Sequence, residues 1–495
     1  MKVHSIKVYN TASQKKEDFV PLREGRVTMY VCGITAYDYA HIGHARAAVI
    51  FDVVFRYLTY RGYQVNYVRN FTDVDDKIIK RANDEGVPGA EIAQKYIKAY
   101  TEDMRLLGVK PPQHEPLATE HINEIIEMIK RLIDRDYAYS VDGDVYFEVK
   151  KFSEYGKLSK KNIDEQLSGA RVETDERKKD PRDFALWKKA KPNEPFWVSP
   201  WGDGRPGWHI ECSVMSQKYL GDTIDIHGGG RDLIFPHHEN EVAQSEAASG
   251  KPFVRYWLHN GFVKINREKM SKSLGNFFTV KDMLKDYHPE VVRLFLLSHH
   301  YRSPVDFSSD AMREAEGGLE RIYTTLGEID GLIGDKNYPA VEEGSLNEAD
   351  REICQELISL RKNFEKGMDD DFNTAVSIGC IYQAIRALNK YLSRREFAKT
   401  DESCALLYEG RAIISRIGEV LGIFQVVPAE YLQMVRDRKL SQLKITVSEI
   451  EQMVTERNKA RKEKDWARAD EIRDSLLNKG IILEDGKGTT AWKVQ

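Results

Sequence analysis

Two short stretches far apart in the chain carry side chains suited to a polyphosphate: His41-Ile42-Gly43-His44 and Lys269-Met270-Ser271-Lys272-Ser273. Histidines flanking Ile42 and Gly43 at the start of a helix can face a phosphate held by the helix N-terminus. Gly43 leaves bare backbone on which a purine can pack. Lys269 and Lys272 flank Met270 and Ser271, and a loop of that kind can close on pyrophosphate as charge develops. Each stretch also has a plainer reading, a helix cap for the first and a solvated basic loop for the second. A further set, Cys32, Cys212, His237 and Glu241, offers the donor types that zinc takes. His237 and Glu241 are four apart, so a helix puts both on one face; His238 points roughly 100° away and is the weaker ligand. Cysteines buried without a metal are the alternative. A nucleotide site beside a thiophilic metal suggests an enzyme that activates a sulfur-containing substrate.

Such groups need a scaffold that holds them together. The β-branched and aromatic residues over 27–33 predict a buried strand ending at Gly33. The first motif follows, then a helix over 45–58 and a second strand over 64–70. Strand, helix and strand in that order, with chemistry at the strand's C-terminal end, open a parallel nucleotide-binding sheet. Later strands over 223–230 and 255–261 end in loops. Gly228-Gly229-Gly230 can bring backbone close to an adenosine, or simply turn tightly; Asp225 and His227 in the same strand are secondary candidates. Residues 115–200, with a helix near 122–134 and a strand over 144–149, read as an insertion between two halves of the sheet. Charged segments of helical period over 311–332, 348–367, 373–392 and 404–421 predict a helical bundle ending near Pro428. A helical hairpin over 447–464 and 466–479 follows.

The bulk properties set bounds. At 495 residues the chain exceeds one hydrophobic core, and about three domains are expected. A hydrophobic share of 41% and a charged share of 31% suit a soluble globular chain. The net charge of −4 argues against a general nucleic-acid coat. Residues 435–495 nevertheless carry +3 against −7 for the rest, which allows a local polyanion contact. Five scattered cysteines fit a reducing cytosol better than a disulfide framework. The N-terminus shows no apolar leader, and no apolar run reaches the ~18 residues of a membrane span.

The two motifs match, letter for letter, the ATP motifs of class I aminoacyl-tRNA synthetases. Their surroundings resemble cysteinyl-tRNA synthetases: Tyr30-Val31-Cys32-Gly33-Ile34-Thr35, Phe71-Thr72-Asp73-Val74-Asp75-Asp76-Lys77, Trp208-His209-Ile210-Glu211-Cys212-Ser213 and Phe235-Pro236-His237-His238-Glu239-Asn240-Glu241. The likeness continues through Asp370-Asp371-Phe372-Asn373-Thr374 and over 467–473 and 486–492, so it covers essentially the whole chain. It implies an α/β fold: a Rossmann-like parallel-sheet catalytic domain over 1–114 and 201–265 with an insertion over 115–200. A stem-contact region over 266–312, a helical bundle over 313–428 and a small anticodon-binding domain over 435–495 complete it. It also implies ATP-dependent activation of L-cysteine to cysteinyl-adenylate and transfer to the 3′ end of tRNA(Cys), by a cytoplasmic monomer. In this reading His41, His44, Lys269 and Lys272 stabilise charge, while Gly43, Gly229, Ser271 and Ser273 complete the site for ATP and its Mg²⁺. Gly33, Thr35, Thr72, Trp208 and His237 form the substrate pocket, and Cys32, Cys212, His237 and Glu241 bind zinc.

Zinc is borderline soft and lowers a thiol pKa from its usual value of about 8.5, whereas serine offers only a hydroxyl and alanine no ligand at all. Direct coordination can discriminate on the order of 10⁴-fold, which makes an editing domain unnecessary; the insertion is small for one. Four protein ligands resemble a closed structural site, so substrate must add a fifth ligand or displace the weakest. In the C-terminal segment Trp466 and Trp492 are candidates for base stacking, and Arg457, Arg461 and Arg468 for phosphate contacts. The rivals are a cysteine:sugar ligase of mycothiol biosynthesis, which is expected to lack this tail, and a non-catalytic tRNA-binding paralogue, which has no reason to keep both motifs. Lys77-Ile78-Ile79-Lys80 resembles a lysine motif tied to pyridoxal phosphate and secondary cysteine persulfide synthesis; paired helix lysines are otherwise simply solvated.

Overall fold

A computed structural model of the chain describes residues 5–161, 176–265, 268–269, 278–339, 346–395, 397–443, 445–485 and 490–494. At its centre lies a sheet of four parallel strands: β1 (Arg26–Val31), β2 (Gln64–Arg69), β3 (Ile224–Gly230) and β4 (Val254–Asn260). The order across the sheet is β4-β3-β1-β2. Helix α1 (Ile42–Tyr60) connects β1 to β2, and α2 (Trp208–Leu220) and α3 (Glu239–Ser249) flank the second half. Strands covered on both faces read as apolar runs, as β1 does with Met29, Tyr30 and Val31 all buried. The order reverses between β1 and β3, and ligands of such sheets sit beyond the strand ends at that point.

The insertion builds an antiparallel sheet from Ala138–Val141, Asp144–Phe147 and Phe184–Lys189, which Gly204–Pro206, just beyond the expected boundary at 200, completes, with the helix Ile122–Asp134 against it. Its core includes Ile210 and Val214 of α2 and Ala243 and Ala247 of α3, so it braces the helices that face the crevice. The bundle helices are Ser309–Ile333, Glu348–Asp369, Thr374–Leu392 and Asp401–Leu421. A further helix, Pro428–Gln442, begins where the sequence reading ends the bundle. Pro428 is its first residue, where a missing N–H costs nothing. The last segment pairs the helices Val447–Lys462 and Trp466–Asn478 with a hairpin of Ile481–Asp485 and Thr490–Val494 around its own core. Among the described residues no helix is long and apolar enough to cross a membrane.

One core runs without a break from the central sheet into the bundle. A buried ion pair at α1 fastens the two. Asp52 accepts from Arg56 Nε at 2.9 Å, from Lys110 N at 3.0 Å and from the Arg293 guanidinium. Arg293 also donates to Leu421 O at 2.6 Å and to Leu107 O at 3.2 Å. Removing one partner of such a pair strands a buried charge, so Asp52→Ala is expected to lower stability by about 3–5 kcal/mol, and Asp52→Ala with Arg293→Met by less. Denaturant unfolding of the three proteins measures this, and equal losses in single and double variants would contradict it.

The N-terminus of α1 is capped by a histidine. His41 Nδ1 accepts from Gly43 N at 3.0 Å and His44 N at 3.4 Å, and His41 N donates back to His44 Nδ1 at 3.4 Å. Burial holds the His41 imidazole down to about 4, against an ordinary value of 6.5. Between those values the unfolded chain binds a proton here that the folded chain refuses, so stability is lost as pH falls from 6.5 toward about 4. Asn caps without titrating. The melting temperature of His41→Asn is therefore expected to fall less steeply than that of the unmodified protein across this window; parallel slopes would exclude the cap as the cause.

Candidate active site and metal centre

Cys32 directly follows β1, and its N–H bonds Gly228 O of β3 at 3.1 Å. This places its thiol at the reversal point of the sheet. Cys212 comes from α2, Glu241 from the first turn of α3, and His237 from the turn before it. Cys32 Sγ lies 3.6 Å from Cys212 Sγ, 3.6 Å from His237 Nε2 and 3.4 Å from Glu241 Oε1. His237 Nε2 lies 3.0 Å from Glu241 Oε1. One donor atom from each of the four thus falls within 4.8 Å of the others. Cys32 is half-buried and the rest are buried, so the cluster meets the crevice through its sulfur.

The protonation states follow from burial and mutual charge. Burial, then the Cys212 and Glu241 charges, push the Cys32 thiol up. The Cys32 hydrogen bond draws the Cys212 thiol down against its burial. Burial would lower the His237 imidazole, but Glu241 and Cys212 outweigh it and raise it to about 10. Glu241 is held well below the carboxylate range because His227 and His237 outweigh its burial. The donor set fits a soft divalent cation. The outer contacts fit too: His237 Nδ1 faces His209 Nδ1 at 2.9 Å, and Glu241 Oε2 faces His227 Nε2 at 2.8 Å, the kind of support that orients metal ligands.

His238 reaches closer than an ideal helix allows. Its Nε2 lies 3.9 Å from Glu241 Oε1, because Glu239 N bonds Ile234 O across a wider turn than the α-helical one. Cys32, His227, His238 and Glu241 consequently form a second possible donor group. His238 Nδ1 continues to His259 Nε2 at 2.8 Å, and His259 Nδ1 to Thr11 Oγ1 at 2.7 Å. His209 and His259 had no role in the sequence reading; four of the chain's histidines crowding into β3, β4 and the segment between them was the available signal. Asp225 lies at the opposite end of β3. It accepts from Leu22 N and from Thr28 N and Oγ1, and so serves the start of β1 rather than the crevice.

Beside the cluster, residues 33–36 run against 70–72. Gly33 N bonds Asn70 Oδ1 at 2.9 Å, and a Cβ at position 33 would lie 1.6 Å from Asn70 O, so only glycine fits. Thr35 and Thr72 pair across the two segments. Thr72 Oγ1 donates to Glu211 Oε2 at 2.8 Å, a buried carboxylate that sequence reasoning missed although it neighbours Cys212. Trp208 starts α2; it is 38% exposed and stacks on His237 with centroids 4.3 Å apart, so it lines the crevice instead of filling a core.

At the neighbouring helix end the His41 and His44 rings stack with centroids 3.7 Å apart. Each Nδ1 accepts a backbone N–H, which leaves the proton of the neutral ring on Nε2. Burial keeps both neutral, and for His44 the His41 and Lys77 charges add to it. Gly229 lies in β3 against the His238 ring. Lys269 belongs to a short strand, Glu268–Lys269, paired with Val263–Ile265. Met270, Ser271, Lys272 and Ser273 lie outside the described residues. Beyond that segment, Val280 N bonds Ala40 O at 2.9 Å and Thr279 pairs with His41, so the chain returns to the first motif.

In the C-terminal segment the nominated residues divide. Arg457 and Arg461 bond Asp485, and Trp492 packs in the local core with the Arg436 guanidinium 3.8 Å over its ring. Trp466 is 58% exposed, while the exposed Arg468 pairs with Glu471 at 2.7 Å.

Comparison with known proteins gives these features a family. Residues 18–317 match the model of the tRNA synthetases class I (C) catalytic domain, 363–425 the DALR domain, and 447–492 the cysteinyl-tRNA ligase anticodon binding domain. Cysteine–tRNA ligases of Geobacter metallireducens and Geotalea uraniireducens are each 57% identical, across 99% of this chain and 100% of theirs. The fold is similar to that of Mycobacterium tuberculosis methionyl-tRNA synthetase in complex with methionyl-adenylate, with a TM-score of 0.62 at 16% identity over 83% of this chain and 94% of that one. The leucyl enzyme of Agrobacterium radiobacter, in a ternary complex with tRNA, gives 0.61 at 11% identity over 83% and 87%. The chain therefore belongs to the cysteine–tRNA ligase family of class I aminoacyl-tRNA synthetases.

Proposed function

We propose that the chain joins L-cysteine to tRNA(Cys) in two steps. The cysteine carboxylate attacks the α-phosphorus of ATP, carried with Mg²⁺, to give cysteinyl-adenylate and release pyrophosphate. The 3′-terminal ribose hydroxyl of the tRNA then takes the acyl group and AMP leaves. The observation that carries this reading is the meeting of Cys32, Cys212, His237 and Glu241 at the end of β1, beside the paired histidines that cap α1.

Cys32, Cys212, His237 and Glu241 would hold zinc, which when bound supplies a soft Lewis acid for the substrate thiolate. His209 and His227 orient His237 and Glu241. Trp208, Thr35 and Thr72 flank the place where an amino acid so held would lie, and Gly33 lets the backbone approach it. His41 and His44 present Nε2–H donors to the phosphates, Lys269, Ser271, Lys272 and Ser273 are the further phosphate contacts in this reading, and Gly43 and Gly229 leave room for the adenosine. No side chain is required as a general base; positioning and electrostatics carry the adenylation. We assign the catalytic domain to 1–114 and 201–265, the insertion to 115–200, stem contact to 266–312, the bundle to 313–428 and anticodon binding to 435–495, in a monomeric cytoplasmic enzyme. The anticodon-domain match favours this over a sugar ligase. The pyridoxal phosphate reading gains no support: Lys77 and Lys80 are exposed, and the Lys77 ammonium lies 5.1 Å over the Tyr37 ring.

Cysteine-dependent ATP–pyrophosphate exchange tests the first step. Exchange is expected to vanish on zinc chelation, to return with zinc, and to favour cysteine over serine by about 10⁴-fold. Serine exchange equal to that with cysteine would defeat the metal selection, and exchange without transfer to tRNA would favour the sugar ligase. Stacking of one base on an aromatic ring is worth about 1–3 kcal/mol, so Trp466→Ala is expected to lower kcat/KM for tRNA about tenfold and leave exchange unchanged. An unaltered kcat/KM for tRNA would remove Trp466 from recognition.

A further inference from the structure

Arg46 stands two positions after His44 on α1, and none of its side chain is exposed. Among the described residues no carboxylate pairs with it. Its Nη1–H donates to Phe262 O at 2.7 Å, and its Nη2–H donates to Tyr301 O at 3.1 Å and to the Ser303 carbonyl. A guanidinium buried without a counter-charge is less stabilising than an apolar side chain of its size, so packing alone does not account for it. What it gains is reach, because a five-donor planar fork can gather carbonyls from two separate segments.

Those segments are informative. Phe262 immediately precedes the strand Val263–Ile265, which pairs with Glu268–Lys269 on one side and with Val305–Phe307 on the other. Tyr301 and Ser303 lead into Val305–Phe307. Arg46 therefore grips the two stretches of backbone that lead into the small sheet carrying Lys269. The junction is tight: Gly261 N bonds Tyr301 O at 2.8 Å, and a Cβ at position 261 would lie 2.5 Å from Ser303 O. Ala40 and His41, just before α1, separately hold Thr279 and Val280.

We propose that Arg46 is a positioning residue for adenylation, fixing the strand that bears Lys269 at a set distance from His41 and His44. This deepens the reaction proposed above and rests on it. Misplacing a catalytic group by about 1 Å can cost 10²-fold, and the loss should appear in the ATP step and not in the hold on cysteine.

The test combines exchange kinetics with equilibrium dialysis of cysteine in the absence of ATP and a zinc assay. Arg46→Lys keeps the charge but replaces the fork with a single centre. It is expected to lower kcat/KM for ATP by about tenfold or more, with cysteine affinity within about twofold and zinc content unchanged. Gly261→Ala presses on the same junction without touching Arg46. It is expected to give the same split, and decides the matter if Arg46→Lys does not fold. Unchanged ATP kinetics in either folded variant, or equal loss of cysteine affinity and ATP kinetics, overturns the role of Arg46. Absence of exchange in the unmodified protein overturns the reaction itself, and this role with it.

Discussion

Two sulfurs, an imidazole nitrogen and a carboxylate oxygen share one small volume inside this protein, and their charges cannot be set independently. Cys212 and Glu241 are pushed toward their anions, His237 toward its cation, and Cys32 is kept as a thiol that donates to Cys212. Ligands bind a metal deprotonated, so metal uptake by such a set would release protons. Two sulfurs among the four donors favour a soft cation over a hard one.

The sheet order converts this local chemistry into a functional arrangement. Reversal between β1 and β3 brings Cys32 alongside Gly228, while the crossover through α1 starts a helix at the same edge. Helix capping then does two jobs. Holding Nδ1 of His41 and His44 on backbone N–H groups stabilises the start of α1 and also fixes which ring nitrogen carries the proton. Because burial keeps both rings neutral, they offer directed donors and no fixed charge.

Much of this was legible in the sequence because it is local. The strand before Cys32, the helix after His44 and the bundle helices follow from apolar period and composition, and the structure places them within a few residues of expectation. The helix Pro428–Gln442 was not legible, since a proline reads as a stop unless its place in the first turn is known. Nor were the contacts that depend on pairs remote in sequence. Glu211 supports Thr72, and Arg46 reaches Phe262, only once the sheet has formed. Arg457, Arg461 and Trp492 looked free for a partner because nothing local announces Asp485 or Arg436 as theirs.

Rigidity is distributed to match these demands. The central sheet and the bundle share one core, whereas the C-terminal segment keeps a small core of its own, joined through the helix Pro428–Gln442. Where the bundle meets the catalytic half, Asp371 and Phe372 take left-handed backbone angles of 67° and 49°, a conformation that costs free energy for a residue such as phenylalanine. The surroundings hold it in place. Asp371 accepts from Tyr9 N at 2.8 Å, Tyr301 Oη at 2.9 Å and Arg302 Nε at 2.7 Å. Tyr301 is also where Arg46 makes its reach. Tyr301 thus links this loop to Arg46 of α1, alongside the direct packing of α1 on the bundle at Asp52, Arg293 and Leu421. The Asp371 carboxylate, the Tyr301 hydroxyl and carbonyl and the Arg46 guanidinium form one continuous path from the bundle to the helix that follows His41.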